Sequence, residues 1–241
     1  MLHHREMKSP AVRLPKFGGM LFEPLLAGLP SPLCDDEQET VMRSILALRR
    51  GPVRYRRNQV IVCEGDPTDY VFLVISGVAR SCRTFQNGAR SIVAFHMPGE
   101  LFGWSGDRTH RLSAEAAADA LVLFVKRAAL LAIGVRDSKV GNFLLTNTVV
   151  ELRRVQEHSM MIGREAKCRL AAFLIDLSSR TAKGNYVDLP MSHHDIADYL
   201  GLTIETVSRT ITELERSGLI ARVSPRALML RNRPCLLNLI N

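Results

Sequence analysis

Residues 192–211 restrict the fold of this chain more than any other segment, because two helix starts flank a single glycine. Ser192 is a favoured N-cap residue, and Asp195 stands three positions later, where a capping box places its acidic partner. Gly201 then permits a sharp turn, and Thr203 can cap a second helix. The segment therefore predicts a helix, a tight turn and another helix.

The second of these helices is amphipathic, and its two faces predict different roles. Val207, Ile211 and Leu214 recur at helical spacing and should face a core. The opposite, exposed face consists of Ile204, Glu205, Ser208, Arg209 and Thr212. Arginine can donate two hydrogen bonds to guanine, glutamate can accept one from cytosine, and serine or isoleucine can meet a thymine methyl group. We therefore expect this face, with Thr203 at its start, to bind double-stranded DNA.

An ordinary surface helix would also explain this pattern, because Glu205 and Arg209 stand four positions apart and could simply pair with each other. The following sequence favours DNA binding. Residues 221–230 alternate into two short strands, which is the pattern of the wing in a winged helix-turn-helix. Arg222 and Arg226 of this wing are positioned to contact phosphates.

A different period governs residues 53–124, which break into short β-branched and aromatic runs. Glycines punctuate the runs, and Asn87-Gly88 is a favoured two-residue hairpin turn. Short strands that are separated by turn signals indicate an antiparallel barrel or sandwich, and we interpret the segment as a β-roll. Before it, residues 33–48 predict one amphipathic helix.

Residues 137–163 predict one long helix after the β-roll. The side chains that recur there at mostly helical spacing are Val140, Leu144, Thr148, Val155 and Ile162. A helix of about 25 residues is longer than a small domain needs to cover its core. We therefore expect these five side chains to bind a second copy of the chain as a homodimer; the alternative is a helix that packs only on its own β-roll.

Together these patterns predict an α+β fold with four segments. We assign residues 1–20 to a flexible tail, 21–136 to the β-roll, 137–163 to the dimerisation helix and 164–241 to the winged helix-turn-helix.

Composition adds weaker constraints. The formal net charge of +8 suits a polyanionic partner. The positive charge is not concentrated in the predicted DNA-binding segment, because residues 164–241 hold 11 basic against 8 acidic side chains. The five cysteines are widely spaced, so we expect reduced thiols that are mostly buried. Because no apolar run is long enough to span a bilayer, we expect no membrane contact and a cytoplasmic protein.

The order of β-roll, long helix and winged helix-turn-helix resembles the CRP/FNR family of bacterial transcription regulators, from about residue 29 to the C-terminus. The motifs that carry the resemblance are FHMPGELFG at 95–103, RLAAFL at 169–174 and DYLGLTIETVSR at 198–209. The last of these looks most like the FixK branch. The resemblance implies that the β-roll is a jelly roll of the cyclic-nucleotide-binding type.

In FNR and FixK relatives, the glutamate, serine and arginine of an E-x-x-S-R pattern bind a TTGAT-type half-site. The resemblance thus implies base contacts from Glu205, Ser208 and Arg209, and the FixK pattern adds Ile204. A two-fold dimer would then bind a palindrome in which TTGAT faces ATCAA across four base pairs.

The resemblance also bears on control. Iron–sulfur sensing by FNR relatives needs clustered cysteines, and only Cys34 lies near the N-terminus. Nucleotide-binding relatives combine a Gly-Glu-Leu with an adjacent Arg-Ser or Arg-Thr pair; here Glu100 is present, but Arg111 and Ser113 are separated by one residue. We therefore expect no cofactor and FixK-like control without an effector. The alternative is a ligand-gated regulator whose β-roll holds a cyclic nucleotide or haem.

Activators of this family contact RNA polymerase through surface loops of the β-roll, which makes polymerase an expected partner. The residues that match one such loop are Gln86, Asn87, Gly88 and Arg90. An enzyme is the remaining alternative, because barrels of this shape also form metal-dependent oxygenases. Only His96 and His110 lie in the barrel, without the His-x-His spacing of such a metal site, so we expect no enzyme.

Overall fold

The computed structural model describes residues 35–180 and 184–240, with side chains from Thr40 onward. The tail predicted over residues 1–20 and Cys34 lie outside the described residues. Helix α1 (Asp35–Ala47) precedes the strands, in agreement with the helix predicted there. Its side chains Val41, Met42 and Ile45 are buried against the β-roll.

Eight antiparallel strands form the predicted β-roll as two four-stranded sheets. The first sheet has the order β1 (Arg49–Tyr55), β8 (Ala120–Lys126), β3 (Tyr70–Ser76) and β6 (Leu101–Phe102). The second has the order β2 (Val60–Val62), β7 (Ser113–Ala116), β4 (Ala79–Thr84) and β5 (Arg90–His96).

Strand β3 shows how the β-roll is anchored. It is almost wholly apolar, and five consecutive side chains of the strand are buried. Because alternate side chains of a strand point to opposite sides, both faces of β3 are covered. Val71 and Leu73 pack toward the helices, whereas Phe72 and Val74 point into the interior of the roll. The roll therefore has two apolar layers that share one central strand.

Two helices follow the roll: α2 (Arg127–Arg136) and α3 (Ser138–Met161). Asp137 separates them and caps α3, because its carboxylate accepts hydrogen bonds from the backbone N–H groups of Lys139 (2.9 Å) and Val140 (3.5 Å). The long helix predicted over residues 137–163 is thus present over almost its full length.

The C-terminal domain is the predicted winged helix-turn-helix. Its helices are α4 (Ala166–Ser179), α5 (His193–Leu200), α6 (Ile204–Arg216) and α7 (Arg233–Ile240). Its sheet has the order β10 (Ile220–Ser224), β11 (Ala227–Leu230) and β9 (Tyr186–Asp188). One apolar cluster joins this domain to the roll, since Ile92 and Phe95 of β5 belong to the same buried core as Leu170, Ile196 and Val207.

Four of the cysteines can be placed, and all four are free thiols. Cys82 is buried, Cys168 is half-buried, and Cys63 and Cys235 are exposed. The expectation that the cysteines are mostly buried is therefore wrong for these four, because Cys63 lies in a surface turn and Cys235 in the first turn of α7. Within residues 35–180 and 184–240, no helix has the length and hydropathy required of a membrane span.

Candidate nucleic-acid interface

Helices α5 and α6 are set by local capping, as their sequence predicts. The Ser192 hydroxyl accepts a hydrogen bond from the Asp195 N–H (3.1 Å), and the Asp195 carboxylate accepts one from the Ser192 N–H (3.1 Å). Gly201 ends α5 in the left-handed region at φ 62°, which glycine adopts without a Cβ clash. Thr203 then caps α6 by accepting from the Thr206 N–H (3.2 Å).

Burial of one face of α6 fixes the direction of the other. Val207, Ile211 and Leu214 are buried in the core that α6 shares with α4 and α5. The opposite face lines an open groove of about 700 Å³, whose residues are Ile204, Glu205, Ser208, Arg209, Thr212, Glu213 and Arg216. The structure thus brings five predicted DNA-contacting residues together, and Thr203 begins the helix beside them.

Two groove residues were missed by the sequence interpretation. Glu213 and Arg216 each lie four positions after a predicted residue, on the same face of the helix. Helical spacing alone would have found them. Glu213 pairs at the surface with Lys167 in the first turn of α4 (Nζ to Oε1, 2.8 Å).

Glu205 and Arg209, unlike Glu213, have no ion-pair partner among the described side chains. No ion pair joins Glu205 to Arg209 among the described side chains, so the pairing expected of an ordinary surface helix is not formed. Hydrogen bonds from its own backbone N–H and from the Thr203 hydroxyl lower the pKa of Glu205. Glu205 is therefore a carboxylate at neutral pH and acts as a hydrogen-bond acceptor.

The wing lies beside α6. Arg222 lies against the helix, because its backbone N–H donates to a Glu215 carboxylate oxygen (3.0 Å) and its side-chain Nε lies 3.8 Å from the other oxygen. Arg226 is exposed at the turn between β10 and β11, where its N–H donates to the Ser224 hydroxyl (3.3 Å). Of the two wing arginines, Arg226 is thus the one that is free to reach a phosphate.

An ion network that is buried at Arg80 and Asp195 connects the β-roll to α5, and we call it the Asp195 network. Arg80 of β4 donates to the Asp195 carboxylate (2.6 Å), and Arg90 of β5 donates to the same oxygen (2.8 Å). Arg90 also donates to Asp198 (2.8 Å), one turn further along α5. Glu115 of β7 accepts from Arg80 (3.0 Å).

A second network connects the roll to the helices on the other side. Glu100 accepts from Arg154 of α3 (2.9 Å) and from Arg180 at the end of α4 (3.0 Å). Burial alone would raise the pKa of Glu100, but the two arginines outweigh that effect and lower it. Glu100 is therefore an ionised, fully engaged carboxylate.

Aromatic side chains pack against one another in the interior of the roll. His96 stacks on Phe102 at 4.7 Å between ring centroids, and its Nε2 lies 2.8 Å from the Ser81 hydroxyl. Burial lowers the pKa of His96 to about 4, so this imidazole is neutral. Phe72 packs so closely on Gly103 that a Cβ there would lie 2.6 Å from the phenyl ring.

The residues that nucleotide-binding relatives use are dispersed here. Glu100 is held by the two arginines, Arg111 is exposed and paired with Asp107, and the Ser113 hydroxyl accepts from the Glu64 N–H (2.9 Å). Each of these groups thus has a partner within the chain itself.

Comparison with known proteins agrees with this architecture. The family model described as Crp-like helix-turn-helix domain matches residues 168–239, and the one described as cyclic nucleotide-binding domain matches residues 52–137. The nitrogen fixation regulation protein FixK of Azorhizobium caulinodans is 40% identical over 198 residues, which is 80% of each chain. The chain belongs to the CRP/FNR family of transcription regulators.

Other CRP/FNR members support the assignment. FixK of Rhizobium meliloti is 38% identical over 78% of this chain and 86% of its own. The solved structure of FixK2 from Bradyrhizobium japonicum has a TM-score of 0.74 at 40% identity, and the match covers 79% of this chain and 97% of that one. The resemblance to the CRP/FNR family and to its FixK branch is therefore confirmed.

The predicted dimerisation residues of this CRP/FNR regulator do not share one exposed face. Val140 is buried in the core of its own chain, so the prediction that it contacts a partner is wrong. Leu144 packs partly against the same core, whereas Thr148, Val155 and Ile162 are exposed. The most exposed apolar stripe of α3, which the prediction missed, consists of Leu145 (63% exposed), Val149 (56%) and Leu152 (56%).

The predicted polymerase loop of the regulator also needs a correction. Gln86, Asn87 and Gly88 are exposed at the tip of the β4–β5 hairpin. Arg90 instead turns toward α5, where Asp195 and Asp198 hold its guanidinium. The assignment of Arg90 to a surface contact is therefore wrong.

Proposed function

We propose that this CRP/FNR regulator binds, as a homodimer, a palindrome in which TTGAT faces ATCAA across four base pairs. The observation that carries the proposal is the exposed face of α6, which is rigidly capped, backed by a core and free of internal ion pairs between Glu205 and Arg209. Relatives named for nitrogen fixation regulation support nitrogen-fixation genes as its targets.

Four side chains have the chemistry for base readout. Arg209 can donate two hydrogen bonds to the O6 and N7 of guanine, and Glu205 can accept one from the N4 amino group of cytosine. Ser208 lies between them on the helix surface, and Ile204 offers an apolar side chain to a thymine methyl group. Thr203 and Thr212 border this set.

We infer that the second copy binds along α3. The exposed stripe of Leu145, Val149 and Leu152 lies opposite the buried Phe143, so it faces away from the β-roll of its own chain. Two-fold pairing of such stripes buries apolar side chains from both chains. It also presents one α6 helix to each half-site of the palindrome.

We infer further that the regulator binds DNA without an effector. Glu100 is engaged by Arg154 and Arg180, and the interior of the roll is occupied by Phe72, Phe102 and His96. A cyclic nucleotide would have to displace these contacts before it could bind. The protein then acts in the cytoplasm as an activator rather than as an enzyme, with Gln86, Asn87 and Gly88 facing RNA polymerase.

The test is fluorescence anisotropy of aerobically purified, ligand-free protein on the labelled palindrome at one fixed salt concentration. Wild type should prefer the palindrome to a scrambled duplex. Arg209→Ala should lose about 1–3 kcal/mol per half-site and relax the preference at guanine. Arg83→Ala is the matched control, because it removes an exposed β-roll arginine that pairs with Glu64 (2.9 Å) far from α6.

Two results would contradict the proposal. If Arg209→Ala binds the palindrome with unchanged affinity, the assignment of the α6 face to base contacts is wrong. Selective binding that begins only after cyclic AMP or haem is added would show a ligand-gated regulator instead.

A further inference from the structure

The Asp195 network connects the rigid part of the β-roll to the DNA-binding helices, and its members carry no assigned role in recognition. We propose that Arg80 and Arg90 are positioning residues that fix the orientation of α5 and α6 on the β-roll, and thereby set the half-site spacing that the dimer accepts. The inference rests on the proposed function, because spacing has meaning only for a dimer on a palindrome.

Asp195 has two simultaneous roles that make the connection rigid. One carboxylate oxygen accepts from the Ser192 N–H (3.1 Å) and hydroxyl (2.8 Å), which holds the first turn of α5. The other oxygen accepts from Arg80 (2.6 Å) and Arg90 (2.8 Å). The helix start and the two strands of the roll are therefore linked through one side chain that is 2% exposed.

Arg80 is itself immobilised before it reaches α5. Its side chain is 2% exposed, and its guanidinium also donates to the Asn58 amide oxygen (3.1 Å) and to Glu115 (3.0 Å). A planar guanidinium that is held by several acceptors has one orientation, and it imposes that orientation on Asp195. The arginine thus transmits the geometry of the roll.

A second attachment point prevents α5 from pivoting. Arg90 bridges Asp195 and Asp198, which lie three positions apart on the same face of α5. Phe95 packs on Tyr199 beside them, with ring centroids 5.2 Å apart, but an apolar contact tolerates sliding better than directed hydrogen bonds do. The ionic network therefore supplies the angular restraint.

The restraint reaches the DNA because both ends of the connection are rigid. On one side, Val140 and Phe143 bury the start of α3 in the core of the roll, so the roll and α3 form one body. On the other side, Ile196 and Val207 share a core, so α6 follows α5. In a two-fold dimer, the angle at Asp195 then determines the separation of the two α6 helices.

Spacing is a sensitive readout of that angle. Each base pair added between half-sites moves one of them by about 3.4 Å and rotates it by about 35° around the duplex. A dimer with fixed α6 helices should accept one spacing, whereas a dimer with loosened domains should accept several.

The experiment measures the affinity of the full-length protein for five duplexes: TTGAT and ATCAA separated by three, four, five or six base pairs, and a single half-site. We expect wild type to prefer four base pairs. In Arg80→Met and Arg90→Gln, the ratio of four-base-pair to five-base-pair affinity should fall about tenfold or more, whereas single half-site affinity should stay within about twofold.

Two controls separate positioning from simple loss of structure. Arg83→Gln, on the same strand as Arg80, removes the exposed pair with Glu64 and should keep the wild-type ratio. Arg90→Gln combined with Asp198→Asn should change the ratio no more than Arg90→Gln alone, because Arg90→Gln already removes the pair with Asp198. If Arg80→Met fails to fold, the Arg90 and Asp198 variants, whose side chains are 22% and 18% exposed, carry the test.

The outcomes are distinct. A spacing ratio that remains at the wild-type value in Arg90→Gln, whether or not all affinities fall together, would overturn the positioning role. Failure of the wild type to bind either the palindrome or the half-site would contradict the proposed function instead.

Discussion

Removal of one leucine from the exposed stripe of α3 should weaken the proposed dimer, and the exposed fraction of that leucine sets the size of the effect. Full burial of a leucine side chain is worth roughly 1.5–3 kcal/mol, so the 56% of Leu152 that remains exposed is worth about 1–1.5 kcal/mol when a partner covers it. In a two-fold dimer the residue occurs twice, so Leu152→Ala should cost about 2–3 kcal/mol of association free energy.

At about 1.4 kcal/mol per factor of ten, this cost raises the dimer dissociation constant about 30- to 100-fold. Sedimentation equilibrium over a range of protein concentrations measures that constant directly. Because Leu152 packs little against its own chain, the variant monomer should unfold at the same temperature as the wild-type monomer, with both measured at concentrations below their dimer dissociation constants. A dimer loss without a loss of folding is therefore the expected signature.

Phe85→Ala is the matched control, because Phe85 is a similarly exposed apolar residue (50%) at the β4–β5 hairpin. It should leave the dimer constant unchanged. An unchanged constant in Leu152→Ala would refute the assignment of this stripe to the dimer contact. Equal weakening by Phe85→Ala would show that loss of any exposed apolar side chain has the same effect.

Two further predictions concern stability. Because the pKa of buried His96 is about 4 rather than 6.5, the unfolded chain takes up the proton first, and His96 should account for about 2 kcal/mol of the unfolding free energy lost between pH 7 and pH 5. Burial also lowers the pKa of His110, His158 and His193, which add to the loss in the wild type. In urea titrations, His96→Gln should therefore lose about 2 kcal/mol less than the wild type over this range, while Glu100, Arg154 and Arg180 still face the site. Gly201→Ala should lower the free energy of unfolding by about 1–2 kcal/mol, because alanine is strained at a φ of 62° although the added Cβ makes only an ordinary contact. Gly201→Asn should lower it less, because asparagine tolerates the left-handed region better. Thermal unfolding of the two variants tests this order.

Local rules were sufficient to predict the DNA-binding helices from the sequence. The capping box at Ser192 and Asp195, the left-handed Gly201 and the cap at Thr203 each act within four residues. The exposed face of α6 followed from helical spacing alone. These features are predictable because they do not depend on where the rest of the chain lies.

The rotation of α3 could not be predicted in the same way. Residues 144 and 145 are both leucine, and a shift of one residue turns a helix by about 100°. Which leucine faces the core depends on how α3 packs against α2 and the roll. The structure places Val140 and Phe143 inward, so Leu145, Val149 and Leu152 remain outside.

The role of Arg90 is a matter of long-range contacts. The sequence places it at the end of a hairpin, where a surface contact is a reasonable prediction. Its partners Asp195 and Asp198 lie more than a hundred residues further along the chain. No spacing rule connects residues so distant, and only the packing of α5 on β5 brings them together.

These long-range ion pairs also indicate a structural role for the β-roll. A buried ion pair is weak support for stability, because desolvation offsets much of its Coulomb energy, but it is directional and therefore specifies geometry. The Asp195 network and the contacts of Glu100 with Arg154 and Arg180 join the roll to α5 on one side and to α3 and α4 on the other. Because these pairs are directional, the roll has the properties of a scaffold that holds the helix-turn-helix in a fixed orientation.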